Sequence, residues 1–106
     1  MASAEPVGVV DFAYLESFAA GDKTVVLEVL SLFRQQAEAW SQGLDPADPG
    51  WRDVVHTIKG AARGVGANSL GDICAKAEID GESGLPAVKA ALDVAVADIT
   101  AYLAGA

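Results

Sequence analysis

The sequence predicts an all-α domain, an antiparallel four-helix bundle with a short additional N-terminal helix. Three observations carry that prediction. Apolar residues recur at steps of three and four through most of the chain, no stretch alternates apolar and polar as a half-buried strand does, and the links between periodic segments are short enough to make successive helices antiparallel neighbours. Apolar residues are 52 % of the 106 and mostly Ala, Val and Leu, whereas aromatics are 7 %, so the helices must pack through small side chains with the aromatics as local anchors. A chain of this length supports one core and is read as a single domain over 1–106, with residues 1–8 as a flexible leading segment.

The first helix begins at Asp11. Leu15 and Phe18 stand three apart, Phe12 and Ala19 extend their face, and Gly21 ends the helix as a C-cap glycine. Asp22 is an N-cap for a much longer second helix, in which Val26, Val29, Leu30, Phe33, Ala37 and Trp40 form one stripe before the chain reaches Gly43. Turn formers crowd the stretch from Gly43 to Gly50, and Asp48-Pro49 reads as a cap followed by proline in a first helical turn. A third helix follows to about Gly66. The fourth runs from Asn68 or Ser69 with Leu70, Ile73, Cys74 and Ala77 on one face, and stops at Asp80-Gly81. The fifth carries Leu85, Val88, Leu92, Ala95 or Val96, Ile99 and Tyr102 or Leu103 up to the C-terminus.

Charge and composition exclude several classes of function. Seven basic against fifteen acidic residues leave a net charge of -8, which repels phosphate backbones and anionic lipid surfaces, so neither nucleic acid nor membrane is an expected partner. Each apolar stretch is broken by charge, as by Glu28 and Arg34 or by Asp93 and Asp98, short of the roughly 18 apolar residues that a membrane helix needs. The first residues have no basic region ahead of an apolar one, as a secretory signal has. The single cysteine, Cys74, has no internal disulfide partner and fits a helical apolar stripe, consistent with a reducing cytoplasm.

The segment from Val54 to Ala67 carries the chemistry. On a helix at about 100° per residue, Trp51, Val54, Ile58, Ala61, Ala62 and Val65 share a stripe and His56 falls almost opposite, facing solvent. Lys59, Gly60 and Arg63 follow it at i+3, i+4 and i+7 and Arg52 precedes it at i-4, so the imidazole stands among cations beside a gap in the side-chain surface. Two glycines inside a helix, Gly60 and Gly64, cost about 1 kcal/mol each relative to alanine, and something must offset that cost. An exposed imidazole that has to reach a phosphorus atom inside another protein's cleft supplies the reason, because a bulky neighbour one turn away blocks the approach. Neutral histidine has a free ring nitrogen and needs no separate base to act as a nucleophile. Lys59 and Arg63 are then placed to steady phosphoryl oxygens. The glycines have a competing explanation, since Gly60-x-x-x-Gly64 also provides the small residues of a helix crossing.

These residues resemble the histidine-containing phosphotransfer (HPt) domains of multistep phosphorelays. That family's motif is approximately His-x-x-Lys-Gly with a further glycine ten residues after the histidine, and His56, Lys59, Gly60 and Gly66 stand at those spacings. Phe18, Gly21-Asp22 and Leu30 to Phe33 look like its first two helices, and Leu70, Cys74 and Glu78 like the helix after the motif. The resemblance implies a four-helix core displaying a phosphorylatable His56, with Lys59 aiding phosphoryl contacts and Gly60 giving access; beside them, Arg52, Arg63 and Gly64 are expected to meet the partner. It implies a phosphocarrier that takes its phosphoryl group from a receiver-domain aspartyl phosphate and returns it to another, the receiver supplying Mg²⁺ and a hybrid histidine kinase standing upstream; a monomer is expected because so short a bundle already uses its apolar faces internally. Ala61 and Ala62 stand where the family often has small hydroxyl residues, and Arg63 is larger and more cationic than usual. Glu78 matches an acidic position that lies near the histidine in some members, and as a sequence position it fits an exposed helix glutamate equally well.

Other readings fare worse. Gly64-Val65-Gly66 has neither a preceding strand nor a Walker lysine, so it is no nucleotide loop. One histidine and one cysteine are too few for a zinc site, and the acidic residues match no calcium loop. The dimerisation helices of a sensor kinase commonly have an acidic residue directly after the histidine and a proline soon afterwards, whereas Thr57 follows here and the next proline after His56 is Pro86. The alternative from another class is a helical adaptor that binds a signalling partner without phosphoryl chemistry.

Overall fold

The computed structural model describes residues 10–105. The leading segment 1–8 lies outside them. Five α-helices follow in order: α1 (Phe12–Phe18), α2 (Lys23–Gly43), α3 (Trp51–Val65), α4 (Asn68–Asp80) and α5 (Leu85–Ala104), with a 3-10 turn, Gly81–Gly84, between the last two. α2 packs on α3, α3 on α4, α4 on α5 and α5 back on α2, which closes the four-helix bundle, while α1 lies against α2 and α3. Each long helix contributes at least one side chain wholly withdrawn from water, among them Leu30, Ile58, Leu70, Leu92 and Ile99.

Aspartates cap the first two helices, Asp22 as the sequence implies and Asp11 in addition. The Asp11 side chain accepts from Tyr14 N at 3.0 Å and that of Asp22 from Val25 N at 3.3 Å. The end of α1 differs from expectation. Ala19 is the cap, and the chain turns through two left-handed residues, Ala20 (φ 54°) and Gly21 (φ 79°), so the reversal begins before the glycine. Phe18 does not share the core stripe. It is 76 % exposed against 2 % for Leu15, because it ends the last turn of a seven-residue helix where the chain already leaves the bundle. Phe12 anchors α1 instead, stacked on Tyr102 of α5 with ring centroids 4.3 Å apart.

Asp48-Pro49 does not cap α3. The Asp48 side chain accepts from Gly50 N at 2.8 Å and closes the turn ahead of the helix, leaving Gly50 as the cap and Trp51 as the first helical residue. Within α3 the buried stripe is Trp51, Val55, Ile58, Ala62 and Val65, the expected one except that Val55 takes the place of Val54 and Ala61 falls at the edge. Val54 and Ala61 are half-buried at its edge, Val54 covering Gly43 at the end of α2. α4 ends at Asp80 and Gly81 as anticipated, but the 3-10 turn carries the chain straight into α5.

Candidate functional site

His56 is carried on the solvent side of α3. Val55 and Ile58 on either side of it are fully buried, and they fix the rotation of the helix so that the imidazole emerges, its side chain 73 % exposed. The α3–α4 corner then decides what faces it. Gly66 has φ 86°, and a Cβ there would lie 2.7 Å from Asp11 O, so glycine is required both by backbone conformation and by space. Ala67 N donates to Ala62 O at 2.8 Å and Asp11 N to Gly66 O at 2.9 Å, which fastens the corner. Nine residues of α3 follow His56, and Glu78 is the eleventh of α4, so the two stand level across antiparallel helices of equal rise per residue.

Glu78 is therefore the residue that the sequence left undecided and the fold places. Its Oε2 lies 3.0 Å from His56 Nδ1, and its Oε1 accepts from Lys59 Nζ at 2.5 Å. One carboxylate thus holds both the imidazole and the lysine. The Lys59 side chain is 21 % exposed and that of Glu78 29 %, so the supporting pair is sheltered while the imidazole is open. The Glu78 carboxyl is held below the usual glutamate range, first because Lys59 donates to it and then because His56 does. Glu78 is ionised near neutrality and accepts only, so Nδ1 is the donor in this hydrogen bond.

The other predicted residues divide. A Cβ built at Gly60 or Gly64 meets nothing within 4 Å. No described helix crosses there, which removes the helix-crossing explanation, and nothing inside the described chain offsets the helical cost of these two glycines. Arg52 lies over the Trp51 ring, its guanidinium 4.3 Å from the ring centroid. Arg63 turns toward α4 and meets Asp72 at 3.5 Å. Of the three cations expected round the imidazole, Lys59 alone shares a partner with it. Beside Gly64 an open apolar groove of about 250 Å³ runs between α2 and α3, lined by Val29, Leu32, Trp40, Ala61 and Val65. Cys74, one turn before Glu78, is buried and its thiol is pushed up to about 11, mainly by burial and then by the charge of Glu78, which leaves it inert as a nucleophile. Among the described residues no group of three or more His, Cys, Asp or Glu is placed to hold a metal ion, and no helix is long and apolar enough to cross a membrane.

The family model of the Hpt domain matches residues 24–104. Among solved structures, the crystal structure of the histidine phosphotransferase ShpA from Caulobacter crescentus is similar to this chain at 58 % sequence identity and a TM-score of 0.85, over 92 % of this chain and 93 % of that one. Comparison with curated proteins gives no match.

Proposed function

Since the chain belongs to the Hpt domain family and its role is phosphotransfer in a phosphorelay, we propose that His56 is the residue that takes and returns the phosphoryl group, through Nε2. The observation that carries this is the Nδ1–Glu78 hydrogen bond on an otherwise exposed imidazole. Nε2 attacks the phosphorus of a receiver aspartyl phosphate in line. The Nε2–P bond forms as the P–O bond breaks, and the electron pair leaves with the aspartate carboxylate. The ring keeps its Nδ1 proton and takes up positive charge, which the Glu78 carboxylate faces. In the return direction the same proton lets the ring leave as neutral imidazole.

Lys59 donates one of its three N–H bonds to Glu78, and the others are free for a phosphoryl oxygen. Gly60 and Gly64 keep the helix surface low where the partner must close in. Hpt domains in phosphorelays meet receiver domains. Here the α2–α3 groove beside Gly64 is the apolar seat for that docking, with Arg52 and Arg63 steering the approach. The receiver supplies the Mg²⁺ of the reaction, a hybrid histidine kinase stands upstream, and the chain works as a cytoplasmic monomer. Phosphorus NMR of the phosphorylated protein tests the assignment. Attachment at Nε2 of His56 supports it, and attachment at Nδ1 contradicts it.

A further inference from the structure

Gly71 is buried in the first turns of α4, a helical position where alanine would serve better unless something occupies the space of its side chain. That something is Arg63. A Cβ at position 71 would lie 2.9 Å from Arg63 Cγ and 3.1 Å from its Nε, so the arginine stem lies on bare α4 backbone. The adjacent Asp72 holds the guanidinium at 3.5 Å, and the Arg63 side chain is still 49 % exposed. The contrast with Gly60 and Gly64 is informative. Those glycines leave space empty, whereas Gly71 gives its space to one cation.

We infer that Arg63 is a specificity-determining residue that reads a carboxylate on the docked receiver, and that Gly71 is the positioning residue that holds it for this task. The inference rests on the phosphotransfer reading and names a contact within it. Arg63 follows His56 by seven residues, about 10.5 Å along a helix at 1.5 Å per residue, and its head is drawn toward α4. It therefore meets the partner's surface beside the reaction, not the transferring group. The charge pattern selects the chemistry of that surface. α3 carries Arg52, Lys59 and Arg63 against Asp53 alone, and of the α4 carboxylates that face them Glu78 is taken up by Lys59 while Asp72 stands exposed 3.5 Å from Arg63, so the half-exposed Arg63 guanidinium is the cation that an acidic rim complements. The exposed Asp72 is a weak partner that a better-placed carboxylate displaces, and a stem already laid down on Gly71 has little freedom left to lose on binding.

The experiment follows transfer from acetyl-phosphate-charged receiver domains to the full chain, as the observed rate against receiver concentration at low and high salt. Arg63→Gln is expected to raise the half-saturating receiver concentration about tenfold, leave the maximal rate within twofold, and flatten the salt dependence. Gly71→Ala, which keeps the arginine but displaces its stem, is expected to move the same quantities in the same direction, and Arg63→Gln with Gly71→Ala is expected to add nothing to Arg63→Gln alone. Unchanged half-saturation and salt dependence in folded Arg63→Gln, or a lowered maximal rate instead, overturns the inference while labelled wild type leaves the phosphotransfer reading intact. Wild type that takes no label from any receiver overturns both.

Discussion

Glu78 Oε2 stands 3.0 Å from His56 Nδ1, twenty-two residues away in sequence and on the neighbouring helix. In the proposed mechanism that contact selects the ring nitrogen that attacks, and its companion contact to Lys59 keeps the carboxylate ionised. Glu78→Gln keeps the shape but removes the charge that selects the Nδ1–H form. Transfer is expected to slow about tenfold, equivalent to ~1.4 kcal/mol in the barrier. Nitrogen NMR of the ring is the independent readout: wild type should hold the proton on Nδ1, and the variant should distribute it over both nitrogens. An unchanged tautomer would remove Glu78 from the account.

The same carboxylate predicts a pH dependence. A glutamate whose folded pKa is lowered contributes stability that is complete above its ordinary value of 4.5 and is lost as pH falls through the lowered value. The stability difference between wild type and Glu78→Gln should therefore shrink as pH falls from 4.5 through the lowered value. Denaturant titrations over that acidic range measure it, and a difference that grows there contradicts the assigned cause.

At Gly60 the fold and the function are predicted to pull apart. A Cβ meets no neighbour there, so Gly60→Ala should stabilise the helix by up to about 1 kcal/mol. Gly60→Leu should also fold, yet slow transfer sharply because its side chain stands one turn from the imidazole. Thermal melts beside transfer kinetics separate the two effects, and a folded leucine variant with wild-type kinetics would end the access argument.

Lys59→Ala should weaken transfer without abolishing it, by at most about a thousandfold, since one electrostatic donor is commonly worth ~2.7–4 kcal/mol and the receiver's own groups remain. Single-turnover rates test this. Complete loss would mean that Lys59 holds the Glu78–His56 pair together as well as meeting the phosphoryl group.

The sequence was informative where periodicity and local chemistry act alone. The helices, the burial of Cys74 and the exposure of His56 follow from spacing, and the cap at Asp22 from its residue type ahead of an apolar stripe, whereas Asp11 read only as the start of α1 and the structure shows it as the cap. It was less informative where distant residues decide. Phe18 reads as core by spacing, but its burial depends on whether α1 has a partner at its last turn, and among the described residues it has none. Val55 replaces Val54 in the α3 stripe because contacts from α2 and α4 together set the rotation of the helix, which a pattern fixes only to within a residue. Glu78 was visible as a position but not as a partner, since its contact with His56 requires the Gly66 corner to bring two helices level. Gly71 gave no signal at all. Its reason lies in Arg63, on another helix.

The central claim is tested most directly at His56, the only histidine in the chain. His56→Gln keeps polarity and approximate size at an exposed site and should change stability by no more than about 0.5 kcal/mol. Wild type and variant are incubated with a phosphorylated receiver and the label on each is followed. Wild type should acquire label that is lost in acid and kept in alkali, as a phosphoramidate behaves, and folded His56→Gln should acquire none. Equal labelling of the two would contradict the assignment of phosphotransfer to His56 and leave the non-catalytic adaptor as the reading of this surface.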